Sequence, residues 1–150
     1  MNKFISEMTA HILGSPLDDS RLDKLAVIWG QESTVLRGDD SPLFGAALAA
    51  LHAVLKPGSK TLIVTGRVSE YICAVDSHCR TSPVLQVLRP YADQANSIRL
   101  GNSRIDVCRL KNARGHHPDL LICDGCGYGV HPNIDEMLPA VHGKYVLILE

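Results

Sequence analysis

Aromatic residues are scarce in this chain: two Phe, one Trp and four Tyr make up 5% of its 150 residues. The hydrophobic core must therefore be mainly aliphatic. The chain also lacks an excess of charge of either sign, since its net charge at pH 7 is -1. A nearly neutral chain argues against a protein that coats nucleic acid over its whole surface.

Long hydrophobic runs are absent as well. No run reaches the ~20 residues that are needed to cross a bilayer. The N-terminus, MNKFISEMTAHILG, has no uninterrupted apolar segment of signal-peptide length, and the five cysteines form an odd number. These features predict a cytoplasmic protein with free thiols, no disulfides and no contact with a membrane.

The chain is long enough to bury a core without disulfides or a structural metal. Apolar residues at helical spacing predict an amphipathic helix over residues 2–13. We therefore divide the chain into an N-terminal helix or arm, residues 1–22, and a single α/β domain, residues 23–150.

Short apolar runs alternate with helical segments in the predicted domain. The alanine-rich segment Leu43–Leu55 is typical of a helix packed tightly on a sheet, with Ser41 as its N-cap and Pro42 at its first position. The order of the segments predicts a mostly parallel sheet, with helices on both faces and one inserted β-hairpin. Strands are predicted at residues 25–29, 61–65, 120–123 and 145–149, a loop at 31–42, and further helices at 70–77 (capped by Ser69), 84–88 and 133–141.

The predicted hairpin turns at Gly101-Asn102, and the residues on either side of it alternate between apolar and polar. In the second strand, Ile105 and Val107 belong to one face and Arg104 to the other. The hairpin therefore has one face for the core and one for solvent.

The middle of the chain is basic and its end is acidic. Residues 61–117 carry eight Arg or Lys against four acids, whereas residues 118–150 carry five acids and one Lys. Such asymmetry predicts a surface for nucleic acid or for an acidic protein partner. An ordinary solvated face is the alternative. The candidate nucleic-acid-binding residues are Arg99, Arg104, Arg109, Lys111 and Arg114.

The stretch Pro118–Pro132, PDLLICDGCGYGVHP, holds the most distinctive group of residues in the chain. Its apolar run Leu120–Cys123 predicts a strand that is buried on both faces. The run ends in Asp124, which a glycine-rich turn follows. Open α/β sheets bind their ligands outside the carboxyl ends of strands, so we predict the functional site here, at Asp124.

Thiol and imidazole groups in the same stretch form a candidate soft-metal site. Cys123, Cys126 and His131 are ligand types that Zn²⁺ prefers. A single C-x-x-C pair is not specific to zinc, and a cysteine inside an apolar run also serves as a small hydrophobic residue. Zn²⁺ is therefore the alternative to a harder metal such as Mg²⁺.

Three segments follow one another in a characteristic order: RGDDSPLFGAALAALHAVLKPGSKTLIVTG, SIRLGNSRID and NARGHHPDLLICDG. Over residues 23–150 this order resembles the RecA-like ATPase lobe of large terminases and helicases. The resemblance implies nucleotide binding with Mg²⁺ as cofactor and Asp124 as a metal ligand. It also implies a role in nucleic-acid handling or viral assembly. The phosphate-binding candidates that it implies are Arg37, Gly38, Ser41 and Arg67.

The chain departs from the ATPase pattern in its phosphate-binding loop. That loop has the pattern G-x-x-x-x-G-K-[ST], in which the lysine contacts the phosphates and the hydroxyl binds Mg²⁺. Here Gly38 is followed by Asp39, Asp40 and Ser41, without the lysine. Gly125 also follows Asp124, where a catalytic acid is common in the family. We therefore predict a degenerate lobe that acts as a non-catalytic module of a larger assembly.

Two other functions fit parts of the sequence. The residues from Asp124 to Pro132 resemble the DGxGxxHP turn of endonuclease V, with a Gly-to-His gap one residue longer. This resemblance implies a metal-dependent nuclease that uses Asp124. Two-metal chemistry needs several carboxylates at one edge, and the possible partners are Asp39, Asp40, Glu70 and Asp76. The other alternative is a structural or protein-interaction module without catalysis, which works in an assembly or as a homo-oligomer.

Overall fold

Helices and strands alternate along the chain in the computed structural model, which describes residues 3–19, 21–22, 25, 34–38, 42–113, 115–124 and 145–149. The helices in these ranges include α1 (Lys3–Leu13), α2 (Pro42–Leu55), α3 (Val68–Thr81) and α4 (Pro83–Gln86). The strands are β1 (Thr34–Gly38), β2 (Lys60–Val64), β3 (Tyr91–Gln94), β4 (Ser97–Leu100), β5 (Ser103–Cys108), β6 (Leu120–Asp124) and β7 (Tyr145–Leu149).

The strands form one sheet in the order β1-β7-β6-β2-β5-β4-β3. The first five strands of this order are parallel to one another, and β4 and β3 run antiparallel at one end. The predicted α/β fold with a mostly parallel sheet is confirmed. The predicted hairpin is confirmed as the pair β4–β5, in which Ile98 lies opposite Ile105.

Helix α2 lies at the centre of the core. Its alanines at positions 46, 47, 49 and 50 are fully buried, and their small side chains let α1 and α3 pack closely against it. Sheet residues such as Ile63, Ile105 and Ile122 belong to the same buried cluster. The helix is therefore apolar on nearly every side because it has neighbours on nearly every side.

The central strands are buried on both faces. In β2 and β6 the side chains that alternate with the helix-facing set, Leu62, Val64, Leu121 and Cys123, are at most 1% exposed. Such burial explains why these strands have unbroken apolar runs. Strand β5 instead alternates between buried and half-buried residues, as the sequence predicts.

Several predicted elements differ from the structure. Strand β1 occupies residues 34–38, which the sequence analysis assigned to a loop, because the short run Thr34–Gly38 is paired along its whole length with β7. Leu25 is helical and not the first residue of a strand, and residues 26–30 lie outside the described ranges. Helix α3 begins at Val68, so Ser69 lies inside the helix and does not cap it. Strand β3 was not predicted because its local sequence pattern is weak. Its pairing with β4 stabilises it in the structure.

The predicted N-terminal helix is confirmed as α1, and its Ile12 is part of the core. The predicted helix at 133–141 and the N-cap Ser41 fall outside the residues that the structure describes. Within the described ranges, no helix combines the length and the apolar character that crossing a bilayer requires.

The close packing of α2 predicts the effect of enlarging one of its alanines. We expect Ala50→Leu to lower the free energy of unfolding by about 2 kcal/mol, because a fully buried site has no room for three more carbons. The same change at Ala92, which is exposed on β3, should change it by less than about 0.5 kcal/mol. Urea denaturation of both variants measures the two changes in the free energy of unfolding. Equal changes would contradict the close packing around α2.

Candidate functional site

The carboxyl ends of the parallel strands meet along one edge of the sheet. Gly38 at the end of β1 pairs with Leu149 of β7, and Leu149 pairs with Asp124 at the end of β6. On the other side of β6, Cys123 pairs with Val64 of β2, so that Thr65 comes next to Asp124. Gly38 and Asp124 are two strand spacings apart, roughly 10 Å.

The chain leaves the ends of β6 and β2 in opposite directions. It leads from β6 to β7 on one side and from β2, by way of α3, α4, β3 and β4, to β5 on the other. Neighbouring strands whose connections diverge in this way leave a crevice at their carboxyl ends, where α/β proteins bind ligands. The residues at this point are Thr65, Gly66 and Arg67 after β2 and Asp124 at the end of β6.

Asp124 is a buried acid with three donors on one oxygen. The residue is 1% exposed. Its Oδ2 accepts hydrogen bonds from Arg67 Nε at 3.0 Å, from Arg67 Nη2 at 2.5 Å and from Thr65 Oγ1 at 3.4 Å. Because burying a carboxylate is costly unless it is paired and hydrogen-bonded, these contacts compensate for the burial of Asp124.

Arg67 is held in place by its neighbours in sequence. Its backbone N–H donates to Thr65 Oγ1 at 2.9 Å, and its Nη1 lies 3.7 Å from Glu70 Oε2 in the first turn of α3. Burial is the largest influence on the pKa of Arg67 and lowers it. The hydrogen bonds and charge of Asp124, with Tyr71 and Glu70, nevertheless raise the pKa above its ordinary value. The guanidinium is therefore always charged, and its side chain is 41% exposed to a ligand.

The described residues do not fit a Mg²⁺ ion as they are arranged. Mg²⁺ requires oxygen ligands in a nearly octahedral shell, whereas Asp124 Oδ2 is already surrounded by two guanidinium N–H groups and a hydroxyl. No cluster of three or more His, Cys, Asp or Glu suited to a metal occurs among the described residues. A metal at Asp124 Oδ2 would have to displace Arg67.

The candidate nuclease carboxylates do not converge on Asp124. Glu70 reaches Arg67, not Asp124. Asp76 lies ~12 Å further along α3 than Val68 and pairs with Arg80 at 2.9 Å. Asp39 and Asp40 lie outside the described ranges. The described residues thus offer Asp124 and, on the other side of Arg67, Glu70 at this edge, without a cluster of three or more metal-ligating groups, and two-metal chemistry needs several carboxylates that converge.

Of the four predicted phosphate-binding residues, the structure describes three, Arg37, Gly38 and Arg67. Arg37 and Gly38 belong to β1 and not to a loop, and Ser41 lies outside the described ranges. Three residues separate the end of β1 from α2, whose first turn, Pro42–Gly45, contains no lysine. Arg67, the fourth candidate, is bound to Asp124.

The hairpin arginines are largely neutralised by acids of the same hairpin and of β3. Arg99 Nε lies 3.2 Å from Asp93 Oδ2, and Arg104 lies 2.8 Å from Asp106 and 3.5 Å from Asp93. The hydrogen bond to Asp106, which outweighs the effect of burial, raises the pKa of Arg104. Nucleic-acid binding by these residues stays a prediction. Arg109 and Lys111 are exposed, and Arg114 lies outside the described ranges.

Of the predicted zinc ligands, the structure describes one. Cys123 is buried in β6, whereas Cys126 and His131 lie outside the described ranges, so the zinc site stays a prediction. Two other thiols are inert: burial, with a smaller contribution from nearby acids, raises the pKa of Cys79 to about 12 and that of Cys108 to about 11. Both therefore remain protonated at neutral pH.

Sequence reasoning missed Thr65 as a member of the site. This residue is fully buried, and its hydroxyl donates to Asp124 while accepting from the backbone of Arg67. A signal was present, since Thr65 is the last residue of an apolar run and stands directly before Gly66-Arg67. The contact with Asp124, 59 positions away, required the tertiary structure.

Comparison with known proteins gives a fold but no family. No family model matches the chain, and no curated protein is similar enough in sequence to match. Among solved structures, the chain resembles the large terminase ATPase domain of Thermus phage P74-26, with a TM-score of 0.66 and 14% identity over 93% of this chain and 67% of that one. It also resembles the HK97 bacteriophage large terminase, with a TM-score of 0.71 and 13% identity.

That second match covers 100% of this chain but 38% of the HK97 protein. The chain therefore spans less than half the length of that protein. Identities this low establish a shared architecture and not a shared activity. The conclusion from the geometry and the comparisons together is that this chain has the fold of a phage large-terminase ATPase domain.

Proposed function

We propose that this chain is a nucleotide-binding lobe of the large-terminase type that does not hydrolyse its nucleotide. The observation that carries the proposal is the position of Asp124. It is a buried acid at the crevice between β6 and β2, in a row with the end of β1 and beside the polar turn Thr65–Arg67. In a fold of this kind, that crevice is where a phosphate-bearing ligand binds.

Two features argue against hydrolysis. The connection from β1 to α2 and the first turn of α2 contain no lysine, which in phosphate-binding loops neutralises the β- and γ-phosphates. Asp124 Oδ2 is engaged by Arg67, so this oxygen is not free to bind a metal. Transfer of a phosphoryl group depends on such cations to stabilise the transition state. A lobe with this edge therefore binds without turnover.

The exposed part of the Arg67 guanidinium, which Asp124 and Glu70 also contact, supports an anionic ligand. The guanidinium of Arg67 uses Nε and Nη2 for Asp124, and its side chain remains 41% exposed. Planar guanidinium groups bind phosphate oxygens through several donors at once. We assign Arg67 to the phosphate moiety of the ligand, and we assign the lobe to a larger nucleic-acid-handling assembly, in which Arg109 and Lys111 meet a polyanion.

A thermal-shift series tests the nucleotide. We expect millimolar ATP or GTP to raise the melting temperature by about 4 °C at ten times the dissociation constant, with no release of inorganic phosphate over hours. Arg67→Gln should weaken the shift, whereas Arg80→Gln, which removes an exposed arginine on α3, should not. If no nucleotide moves the melting temperature of the native chain, the proposal is wrong.

The outermost strand of the sheet, β3, favours a second candidate function, that of a protein-interaction module. Strand β3 ends the sheet, and its four residues are all exposed. A groove of about 520 Å³ lies between it and α3, lined by residues that include Tyr91, Arg89 and Asp76. An open edge strand can pair with an extended segment of a partner. A chain that binds no nucleotide but forms a defined oligomer would favour this function.

A further inference from the structure

A buried carboxylate needs a positive charge, and the identity of that charge decides what the site binds. In many phosphate-binding sites the charge is a divalent cation held by an acid. In this chain the only cation that contacts Asp124 among the described residues is the guanidinium of Arg67. Both of its donors point to the same oxygen, Oδ2.

The position of Arg67 is built into the local chain. Arg67 follows the end of β2 by three residues, and its backbone N–H is bonded to Thr65 Oγ1. The same hydroxyl donates to Asp124 Oδ2. Glu70 faces the guanidinium from the first turn of α3. Three separate contacts therefore direct this side chain towards Asp124.

We propose that Arg67 permanently takes the place of a divalent cation at this edge. A second cation near Asp124 Oδ2 would lie close to a guanidinium that cannot lose its proton, and two like charges at such a distance in a buried site repel strongly. The native chain therefore does not bind Mg²⁺ or Mn²⁺ here. The fixed charge of Arg67 serves the anionic ligand directly.

This inference rests on the proposed function for the nature of the ligand, but its central claim concerns metal and is tested without nucleotide. The probe is MnCl₂, measured against EDTA by melting temperature and by isothermal titration calorimetry. We expect no shift and no heat of binding for the native chain. For Arg67→Ala, which exposes the carboxylate of Asp124 to solvent ions, we expect a saturable rise of about 4 °C at ten times the dissociation constant.

Two controls separate this effect from general ion binding. Arg67→Ala/Asp124→Asn lacks the carboxylate and should lose the response to Mn²⁺. Arg80→Ala removes an exposed arginine of α3 that pairs with Asp76 and not with Asp124, and it should behave like the native chain. A native chain that binds Mn²⁺ and loses it in Asp124→Asn would overturn the proposal, and so would a folded Arg67→Ala chain that gains no response. If Arg67→Ala does not fold, the native chain and Asp124→Asn still decide.

The nucleotide experiment distinguishes the two proposals. Equal stabilisation by ATP in EDTA and in Mg²⁺ supports both of them. Stabilisation that requires Mg²⁺ leaves nucleotide binding standing and overturns the role of Arg67. The absence of any nucleotide effect overturns the proposed function alone, because the response of Arg67→Ala to Mn²⁺ does not depend on it.

Discussion

Replacing Arg67 by methionine is expected to lower the free energy of unfolding by about 3 kcal/mol, which is one of the two largest effects that the structure predicts. Methionine removes both Arg67 donors from Asp124 Oδ2. Among the described residues, the carboxylate, whose side chain is 2% exposed, then keeps only the hydroxyl of Thr65 as a donor. Removing one partner of a buried ion pair is costly because the other charge stays buried. Guanidinium chloride denaturation measures the loss.

A double-mutant cycle shows whether the loss comes from the stranded charge. Arg67→Met/Asp124→Asn carries no charge at the pair, so we expect it to recover most of the stability. Arg80→Met is the matched control. It breaks the 2.9 Å contact to Asp76, in which both side chains are at least half exposed, and should cost less than about 1 kcal/mol. Equal losses of stability in Arg67→Met and in the double variant would contradict the interpretation that the loss comes from a buried Asp124 without its ion-pair partner.

Acidification from pH 6.5 to about 4 is expected to destabilise the protein by about 3 kcal/mol through one residue, His52. This side chain is fully buried on α2, with Nδ1 3.1 Å from Thr61 Oγ1. Burial, and secondarily the charge of Lys56, lowers the pKa of His52 from 6.5 to about 4, while Asp119 opposes this. Each pKa unit corresponds to about 1.4 kcal/mol.

The sign follows from the protons bound by each state. Between pH 6.5 and 4 the unfolded chain protonates His52 and the folded chain does not, so protons favour the unfolded state. The contribution is fully present above pH 6.5 and is lost as the pH falls towards 4. His52→Gln cannot titrate and still offers a hydrogen bond to Thr61. The difference in stability between the native chain and His52→Gln should therefore change between pH 6.5 and 4. Parallel profiles would show that burial does not lower the pKa of His52.

The strands that the sequence analysis located are the ones whose local pattern matches their surroundings. The runs at 61–65, 120–123 and 145–149 are apolar throughout, and they form β2, β6 and β7. The alternation around Gly101-Asn102 forms the hairpin β4–β5. Strand β1 was missed because five residues with an Arg and a Gly carry little local preference, and its pairing with β7 supplies the stability.

The same local patterns located the candidate site in the sequence, but they did not show which of its residues contact one another. The end of an apolar run in Asp124 points to the carboxyl edge of a sheet, and the structure has this residue there. The sequence analysis treated Arg67 as a phosphate ligand and Asp124 as a metal ligand, that is, as separate functions. Their hydrogen bonds join residues 57 positions apart, which no local pattern reports.

For the basic hairpin, the sequence predicts a surface charge that the tertiary structure largely cancels. Counting charges along residues 61–117 predicts a positive surface. Strand pairing brings Arg99 and Arg104 beside Asp93 and Asp106, and much of that charge is cancelled at close range. A sum of charges over a segment ignores which side chains share a face, and the register of β3, β4 and β5 determines that.

The sequence by itself determined the α/β class, the parallel core and the position of Asp124 at the carboxyl edge of the sheet, because hydrophobic periodicity and turn residues act over a few neighbouring positions. Only the tertiary structure decided that the end of β1, Asp124 and Thr65 lie in one row. It alone decided that the guanidinium of Arg67 lies against Asp124. Strand order and the pairing of charges arise from contacts between distant segments, and burial gives those contacts their strength.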